Sequence, residues 1–323
     1  MARPGDILVV RLGAMGDIIH TLPAVATLKH SFSGCRLAWV VDPRWSVLLE
    51  GNPFVDEVIP LDRTSWRSVW SALRRLRGAG IETAVDFQGL LKSALVASMA
   101  RPQRLFGYHQ RQARERLAAL FYSDRVLTRT GHVVDRNLEL AQAAGATNVL
   151  CAFPLPSGLP EGELPSGGFV LASPLAGWPG KQWPLAYYSE LASLLRRRFG
   201  LPLVLNAAPE AVGQLRAAGC ALHGSSVVGL IDATRRALAV VGVDSGPLHL
   251  AAALSKPGVA IFGPTDPERN GPYGGSFTVL RSPLARTTYR RRSGIENCMK
   301  EIQPHAVLEA LEQRLALPAE GGA

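Results

Sequence analysis

Three short segments, each lying between an apolar run and a helix-like stretch, carry side chains able to do chemistry. The first is Arg11-Leu12-Gly13-Ala14-Met15-Gly16-Asp17. Glycines at a strand-to-helix turn let a ligand approach the backbone, and a carboxylate at the helix start suits a base that takes a hydroxyl proton. The same carboxylate also complements a helix dipole, and spacing alone does not choose between the two roles. A dinucleotide fingerprint needs G-x-G-x-x-G. Only Gly13 and Gly16 are present, and Asp17 occupies the place a pyrophosphate would take.

The second segment is Gly177-Trp178-Pro179-Gly180-Lys181-Gln182-Trp183-Pro184. A glycine-bearing loop, one lysine and a proline opening the next helix describe an anion site, in which amides point at a phosphate and Lys181 adds a point charge. The P-loop pattern is absent, and read alone Lys181 is an ordinary solvated lysine. The third is Val243-Asp244-Ser245-Gly246-Pro247-Leu248-His249. Asp244 and Ser245 offer side-chain oxygens, Gly246 gives clearance and Pro247 fits the first helical position. Ser245 also reads as a plain helix cap, and His249 faces either a cleft or the core. Gly263-Pro264-Thr265-Asp266-Pro267 adds a further polar turn after the next strand.

These turns need strands to aim them. Ile7–Val10, Leu37–Val41, Glu57–Leu61 and Thr83–Phe87 read as buried strands. Helical patterns run over Asp17–Lys29, Trp45–Glu50, Ser65–Arg77, Leu90–Met99, Arg114–Tyr122 and Val133–Ala144. Prolines and glycines crowd residues 152–168, which reads as a semi-rigid linker. The alternation then restarts, with strands at Phe169–Ser173, Leu201–Leu205, Ala237–Val243 and Val259–Phe262. Helices are expected at Pro184–Arg197, Pro209–Ala218, Pro247–Leu254 and His305–Leu315. Strands alternating with helices imply two α/β halves with parallel sheets, whose ligands belong at the carboxyl ends of the strands.

Composition agrees with such a chain. Its 323 residues suit about two domains, and with 47% hydrophobic and 19% charged residues it can bury a substantial core. Lys plus Arg number 35 against 26 Asp plus Glu, a formal charge of +9 that favours an anionic partner. Nucleic acid is one such partner, but no helix-turn-helix, zinc or RNP-type motif is present. Cys35, Cys151, Cys220 and Cys298 lie far apart with no C-x-x-C, so neither a zinc site nor a disulfide framework is expected, and all four read as buried or inert thiols. No secretory signal and no membrane-spanning run is visible, and a cytoplasmic protein is expected.

The ordered motifs resemble those of the lipopolysaccharide heptosyltransferases, glycosyltransferase family 9. The resemblance rests on Arg11–Pro23 (RLGAMGDIIHTLP), Lys181-Gln182-Trp183-Pro184, the Asp244–His249 segment and Phe262–Pro267. Asp86-Phe87-Gln88-Gly89-Leu90 and Cys298-Met299-Lys300-Glu301-Ile302 fall in the same order. Trp66-Arg67, Gln112-Ala113-Arg114-Glu115 and Leu120-Phe121-Tyr122 lean toward the members that add the first heptose to Kdo.

The resemblance implies a GT-B fold, two facing Rossmann-like domains with a central cleft. The expected domains are 1–155 for the acceptor, a linker at 156–168 and 169–300 for the ADP-sugar, with 301–323 packing back on the first domain. It implies inverting, metal-independent transfer of heptose from ADP-L-glycero-D-manno-heptose to Kdo-lipid A, without a cofactor and at the inner-membrane surface. A different member of the family, adding the second heptose for example, is the nearest alternative. Asp17 becomes the base and Lys181 the cation on the donor diphosphate. Gly177, Gly180, Asp244, Ser245, Gly246, His249 and Glu210 fall to the donor. Gly13, Met15, Gly16, Arg67, Gln88 and Arg114 fall to the acceptor. Two departures stand out: Ala176, Gly177 and Trp178 replace hydroxyl residues before the lysine, and Glu210 is one position from where the ribose-binding acid belongs.

Overall fold

The apolar runs form strands buried on both faces, as parallel sheets covered by helices require. In the computed structural model, which describes residues 5–316 apart from Tyr289 and Arg292, the chain divides into two units, Met1–Pro156 and Ser157–Ala323. The first unit runs β1 (Asp6–Val10), α1 (Met15–Ile19), α2 (Leu22–Ser31), β2 (Leu37–Val41), β3 (Glu57–Pro60), α3 (Trp66–Gly78) and β4 (Ile81–Asp86). It continues with α4 (Leu91–Met99), β5 (Arg104–Tyr108), β6 (Asp124–Val126) and α5 (Val133–Ala143). All its strands pair in parallel, in the order β3-β2-β1-β4-β5-β6. The order reverses between β1 and β4, and a ligand crevice opens beyond the strand ends at such a point.

Several elements differ from expectation for local reasons. The single helix expected over Asp17–Lys29 is two, because Pro23 in the first turn of α2 has no N–H to continue the ladder. The Thr21 hydroxyl donates to Asp17 O at 2.8 Å across that break. Pro43–Leu49 and Arg116–Phe121 are 3-10 turns rather than α-helices. Strands β5 and β6 escaped the pattern because β5 opens on a charged residue and β6 is a three-residue edge strand.

The second unit repeats the plan. It contains β7 (Val170–Ser173), α6 (Leu185–Phe199), β8 (Leu203–Ala207), β9 (Ala221–Gly224), α7 (Val227–Arg236), β10 (Ala239–Val243), α8 (Gly246–Ala253) and β11 (Gly258–Phe262). Then follow α9 (Pro267–Asn270), β12 (Phe277–Arg281), α10 (Asn297–Lys300) and α11 (Pro304–Ala316). The parallel order is β12-β11-β10-β7-β8-β9, reversing between β7 and β10. Val212–Ala218 is a 3-10 turn where a helix was expected. The expected linker is largely fastened down. Leu159 N donates to Val228 O at 3.4 Å. Glu161 accepts from Ser226 N and Oγ at 2.7 Å each, which ties it to the start of α7.

The helix α11 packs into the core of its own unit. Its residues Val307, Ala310 and Leu311 are buried in the same core as Val170, Tyr188, Leu191, Val259 and Ile261. The apolar face of α11 is therefore spent on α6, β11 and β12 of its own unit. Residues 317–323 lie outside the described ones. Cys35 is buried, Cys220 and Cys298 are half-buried and Cys151 is exposed. Among the described residues no helix is long and apolar enough to cross a membrane.

Leu311 is fully buried, so Leu311→Ala is expected to cost about 2–5 kcal/mol. Denaturant unfolding of the full chain measures it, and a cost below about 1 kcal/mol would remove α11 from the core.

Candidate active site

At the end of β4, fully buried Asp86 organises the turn that follows. It accepts from Gln88 N at 2.8 Å, Gly89 N at 3.3 Å, Ser93 Oγ at 2.8 Å and Tyr122 OH at 2.7 Å. Burial still pushes its carboxyl above the usual carboxylate range, against those four donors. Gly89 takes a left-handed φ of 68°. A Cβ on it would stand 3.3 Å from Arg114 N, so a side chain there crowds the neighbouring strand of chain. Glu115 N donates to Gly89 O at 3.0 Å and Leu91 N to Glu115 Oε2 at 2.6 Å, which brings Arg114 to this turn. Gln88 Oε1 accepts from Leu12 N at 2.7 Å and so steadies the loop after β1.

The result is a carboxylate between two guanidiniums. Asp17 Oδ1 lies 2.7 Å from Arg11 Nη2, and Asp17 Oδ2 lies 3.2 Å from Arg114 Nη2. Ala14 N also donates to Asp17 Oδ2 at 3.2 Å, so the helix-start role is realised together with the ion pairs. Arg11 is itself buried; it donates to Phe87 O, and its carbonyl accepts from Trp39 Nε1 at 3.1 Å. Burial pushes the Asp17 carboxyl up, but Arg11, Arg114 and the Ala14 amide together outweigh it and hold it below the usual carboxylate range. Asp17 is therefore ionised at neutral pH, and about a fifth of its side chain remains exposed.

Of the other first-unit residues, Gly13, Gln88 and Arg114 surround this loop. A Cβ on Gly13 would stand 3.0 Å from the Trp45 indole nitrogen. Met15 and Gly16 are buried in the first turn of α1. Arg67 lies elsewhere, exposed on the first turn of α3 with its guanidinium 5.6 Å from the Trp66 ring centre.

In the second unit the reversal between β7 and β10 gathers a different set. Lys181 ends the short turn Pro179–Lys181, and its Nζ lies 3.0 Å from Asp244 Oδ2. His249 Nε2 lies 3.6 Å from Asp244 Oδ1. Lys181 is mostly buried rather than solvated, and His249 is buried and faces Asp244 from α8. Burial raises the Asp244 carboxyl, but His249 and Lys181 outweigh it and hold it well below the usual range. Lys181 Nζ also stands 5.9 Å from the Trp178 ring centre.

Ser245 occupies the cap position of α8 without making a cap hydrogen bond. Its Oγ is buried with no protein partner among the described residues, as is Thr265 Oγ1. Buried hydroxyls in that state are available to a ligand. Gly246 opens α8, Gly177 faces open space, and a Cβ on Gly180 would stand 3.3 Å from Glu296 Cγ. Glu210 is exposed in the turn after β8.

Reasoning from sequence missed the supports of both groups. Arg11 and Asp86 are charged residues at the ends of otherwise apolar buried strands, a signal that both are paired. Trp183 is fully buried, donates from Nε1 to Ile302 O at 2.8 Å and packs edge-on against Tyr188 at 4.9 Å, which fixes the chain two residues after Lys181. A Cβ on Gly263 would stand 2.5 Å from Met299 Sδ. The Cys298–Ile302 segment is thus a clamp on the turns of the second unit.

Two Rossmann-like units of parallel α/β build, with charged side chains at each strand-order reversal, make up the GT-B class of fold. The sequence profile of Glycosyltransferase family 9 (heptosyltransferase) matches residues 69–300. The lipopolysaccharide heptosyltransferase 1 of Pseudomonas aeruginosa is 31% identical, covering 97% of this chain and 98% of its own. The solved structure of the E. coli heptosyltransferase WaaC with ADP-2-deoxy-2-fluoro heptose is similar at a TM-score of 0.73 and 26% identity, over 95% of this chain and 99% of that one. That of E. coli ADP-heptose lps heptosyltransferase II gives 0.75 and 25%, over 96% and 98%. The chain belongs to glycosyltransferase family 9 and is a heptosyltransferase.

The balance at Asp17 is directly measurable. By carboxyl NMR titration, Asp17 is expected below the ordinary value of 3.8, and Arg11→Met is expected to raise it because burial is then less opposed. An Asp17 titration that ignores Arg11→Met would contradict the balance.

Proposed function

We propose that this heptosyltransferase moves heptose from ADP-L-glycero-D-manno-heptose to the Kdo of the lipopolysaccharide inner core with inversion, using Asp17 as general base. The observation that carries the reading is the ionised Asp17 carboxylate, part-exposed beyond β1 between Arg11 and Arg114. In this mechanism the acceptor oxygen attacks the anomeric carbon, the bond from that carbon to the β-phosphate oxygen breaks, and its electron pair leaves with ADP. The acceptor proton goes to Asp17. A weakly basic carboxylate suffices because the hydroxyl becomes strongly acidic as its oxygen bonds to carbon.

Arg114 is exposed at its guanidinium and suits the acid groups of a Kdo-bearing acceptor. When it turns to them, Asp17 loses one of its two cations and becomes a stronger base as the substrate arrives. Arg11, buried, stays in place. Gly13, Met15, Gly16 and Gln88 shape the acceptor loop, and Arg67 meets the acceptor farther out on α3.

On the donor, Lys181 and the first amides of α8 stabilise the charge that develops on departing ADP. Asp244 holds Lys181 and His249 in position, and the Ser245 hydroxyl with the Gly177, Gly180 and Gly246 backbone serves the sugar and phosphates. Glu210 is assigned to the adenosine ribose from its place beyond β8.

Addition of the first heptose is favoured by the relatives named lipopolysaccharide heptosyltransferase 1, at 31% and 30% identity. Addition of the second is the alternative, favoured by the TM-score of 0.75 to heptosyltransferase II. The lipid-borne acceptor implies work at the cytoplasmic surface of the inner membrane.

Incubation with ADP-heptose and Kdo-lipid A, followed by product mass, tests the reaction; no added heptose would sink it. Asp17→Asn is expected to lower kcat by about 10²–10⁴ with donor affinity nearly unchanged. Lys181→Ala is expected to raise the donor KM and lower kcat by about 10²–10³. Near-normal turnover in either removes that residue from its role. Arg114→Ala should move the acid limb of the rate profile to higher pH, since Arg114 lowers the Asp17 carboxyl; an unmoved limb would contradict the coupling.

A further inference from the structure

The helix that carries Asp17 is too short to hold its own place. Helix α1 has five residues, and an isolated helix shorter than about 12 residues is marginal in water. Its position must therefore come from tertiary contacts. At its N-terminal end the Ala14 amide and Arg11 engage Asp17 itself. At its C-terminal end the chain breaks before α2 starts at Leu22, and the last carbonyls of a helix need donors from outside it.

Helix α5 supplies one. Asn137 of α5 is buried, and its Nδ2 donates to His20 O at 2.8 Å and to Thr21 Oγ1 at 3.4 Å. Thr21 Oγ1 in turn donates to Asp17 O at 2.8 Å. The other end of the amide is fixed as well, because Tyr108 OH, from β5, donates to Asn137 Oδ1 at 2.6 Å. A carbonyl can only accept, so His20 O decides which way the amide faces and makes Tyr108 the donor. Burial pushes the Tyr108 phenol above its ordinary value, so it keeps that proton at neutral pH. The His132 ring, at the start of α5, also meets the His20 ring edge-on at 5.7 Å. One chain of hydrogen bonds thus runs from β5 through α5 to the end of α1.

We propose that Asn137 is a positioning residue for Asp17: its amide, aligned by Tyr108, sets where α1 holds the carboxylate between Arg11 and Arg114. Arg11 follows β1 and Arg114 lies in the segment after β5, so neither is carried by α1. Removal of the amide takes away the tie at the end of α1, and Asp17 moves away from both cations. The charged and titratable groups around this network are Arg11, Arg114, Arg136, Asp86, His20, His132 and the protonated Tyr108. The inference rests on the reading of Asp17 as the base, but the titration that tests it does not.

Asn137→Leu fills much the same space without the amide, and Tyr108→Phe keeps Asn137 but removes the hydroxyl that aligns it. Carboxyl NMR titration of Asp17 and the pH profile of heptose transfer are read on both full-length variants, with the folded fraction from circular dichroism. In Asn137→Leu, Asp17 should titrate higher than in wild type, because the cations that lower it are then farther away, and the acid limb of kcat should move to higher pH with it. The maximal kcat should fall about 10–10²-fold, as for a reacting group misplaced by about 1 Å, while the donor KM is unchanged. Tyr108→Phe should shift the titration and the limb in the same direction by less, and it decides the matter if Asn137→Leu does not fold. An Asp17 titration that matches wild type in a folded variant overturns the proposal. So does a kcat that falls only in proportion to the unfolded fraction with the acid limb unmoved. Normal turnover by Asp17→Asn would remove the base alone, and the titration would still judge the positioning.

Discussion

The arrangement around Asp17 turns on a contest between desolvation and charge. A carboxylate drawn into the protein pays to lose water, and Asp17 does so beside a guanidinium that is itself buried. Two cations and an amide settle the contest in favour of the ionised form. Breaking a buried pair by removing one partner costs far more than the pair contributes, so Arg11 is as tightly constrained as the carboxylate it serves. Trp39, Phe87 and Gln88 fix Arg11 and the loop after β1, and Asp86 fixes the turn that supplies Phe87 and Gln88.

The two units use one topology for opposite electrostatic ends. Each has an aspartate at the end of its fourth strand, Asp86 in the first and Asp244 in the second. Asp86 meets only neutral donors, and burial prevails, raising its carboxyl. Asp244 meets His249 and Lys181, and the interactions they make with it prevail, lowering it. The first therefore organises a turn, while the second holds a lysine in place. Both depend on the strand-order reversal, which leaves the ends of two adjacent strands uncovered by a crossover.

Much of this was legible in the chain. The runs Leu37–Val41 and Gly258–Phe262 are continuous and apolar because their strands are buried on both faces, and such runs are hard to misread. The polar, glycine-bearing turns after β1, β7 and β10 drew attention to Asp17, Lys181 and Asp244. What escaped was set by tertiary contacts. The edge strand Asp124–Val126 has no apolar face of its own, and α11 gives no local sign of which core it joins. The unused cap of Ser245 has no signature in neighbouring residues. The departure at Ala176, Gly177 and Trp178 keeps an open, cation-bearing loop, since Gly177 faces open space and Trp178 lies beside Lys181.

The central claim is that a carboxylate at position 17 accepts the acceptor proton. Chemical rescue tests it most directly: heptose transfer by Asp17→Gly is measured against formate concentration. Transfer that is nearly absent without formate and rises with it is the predicted result. Transfer at the wild-type rate without formate, or no response to it, contradicts the claim.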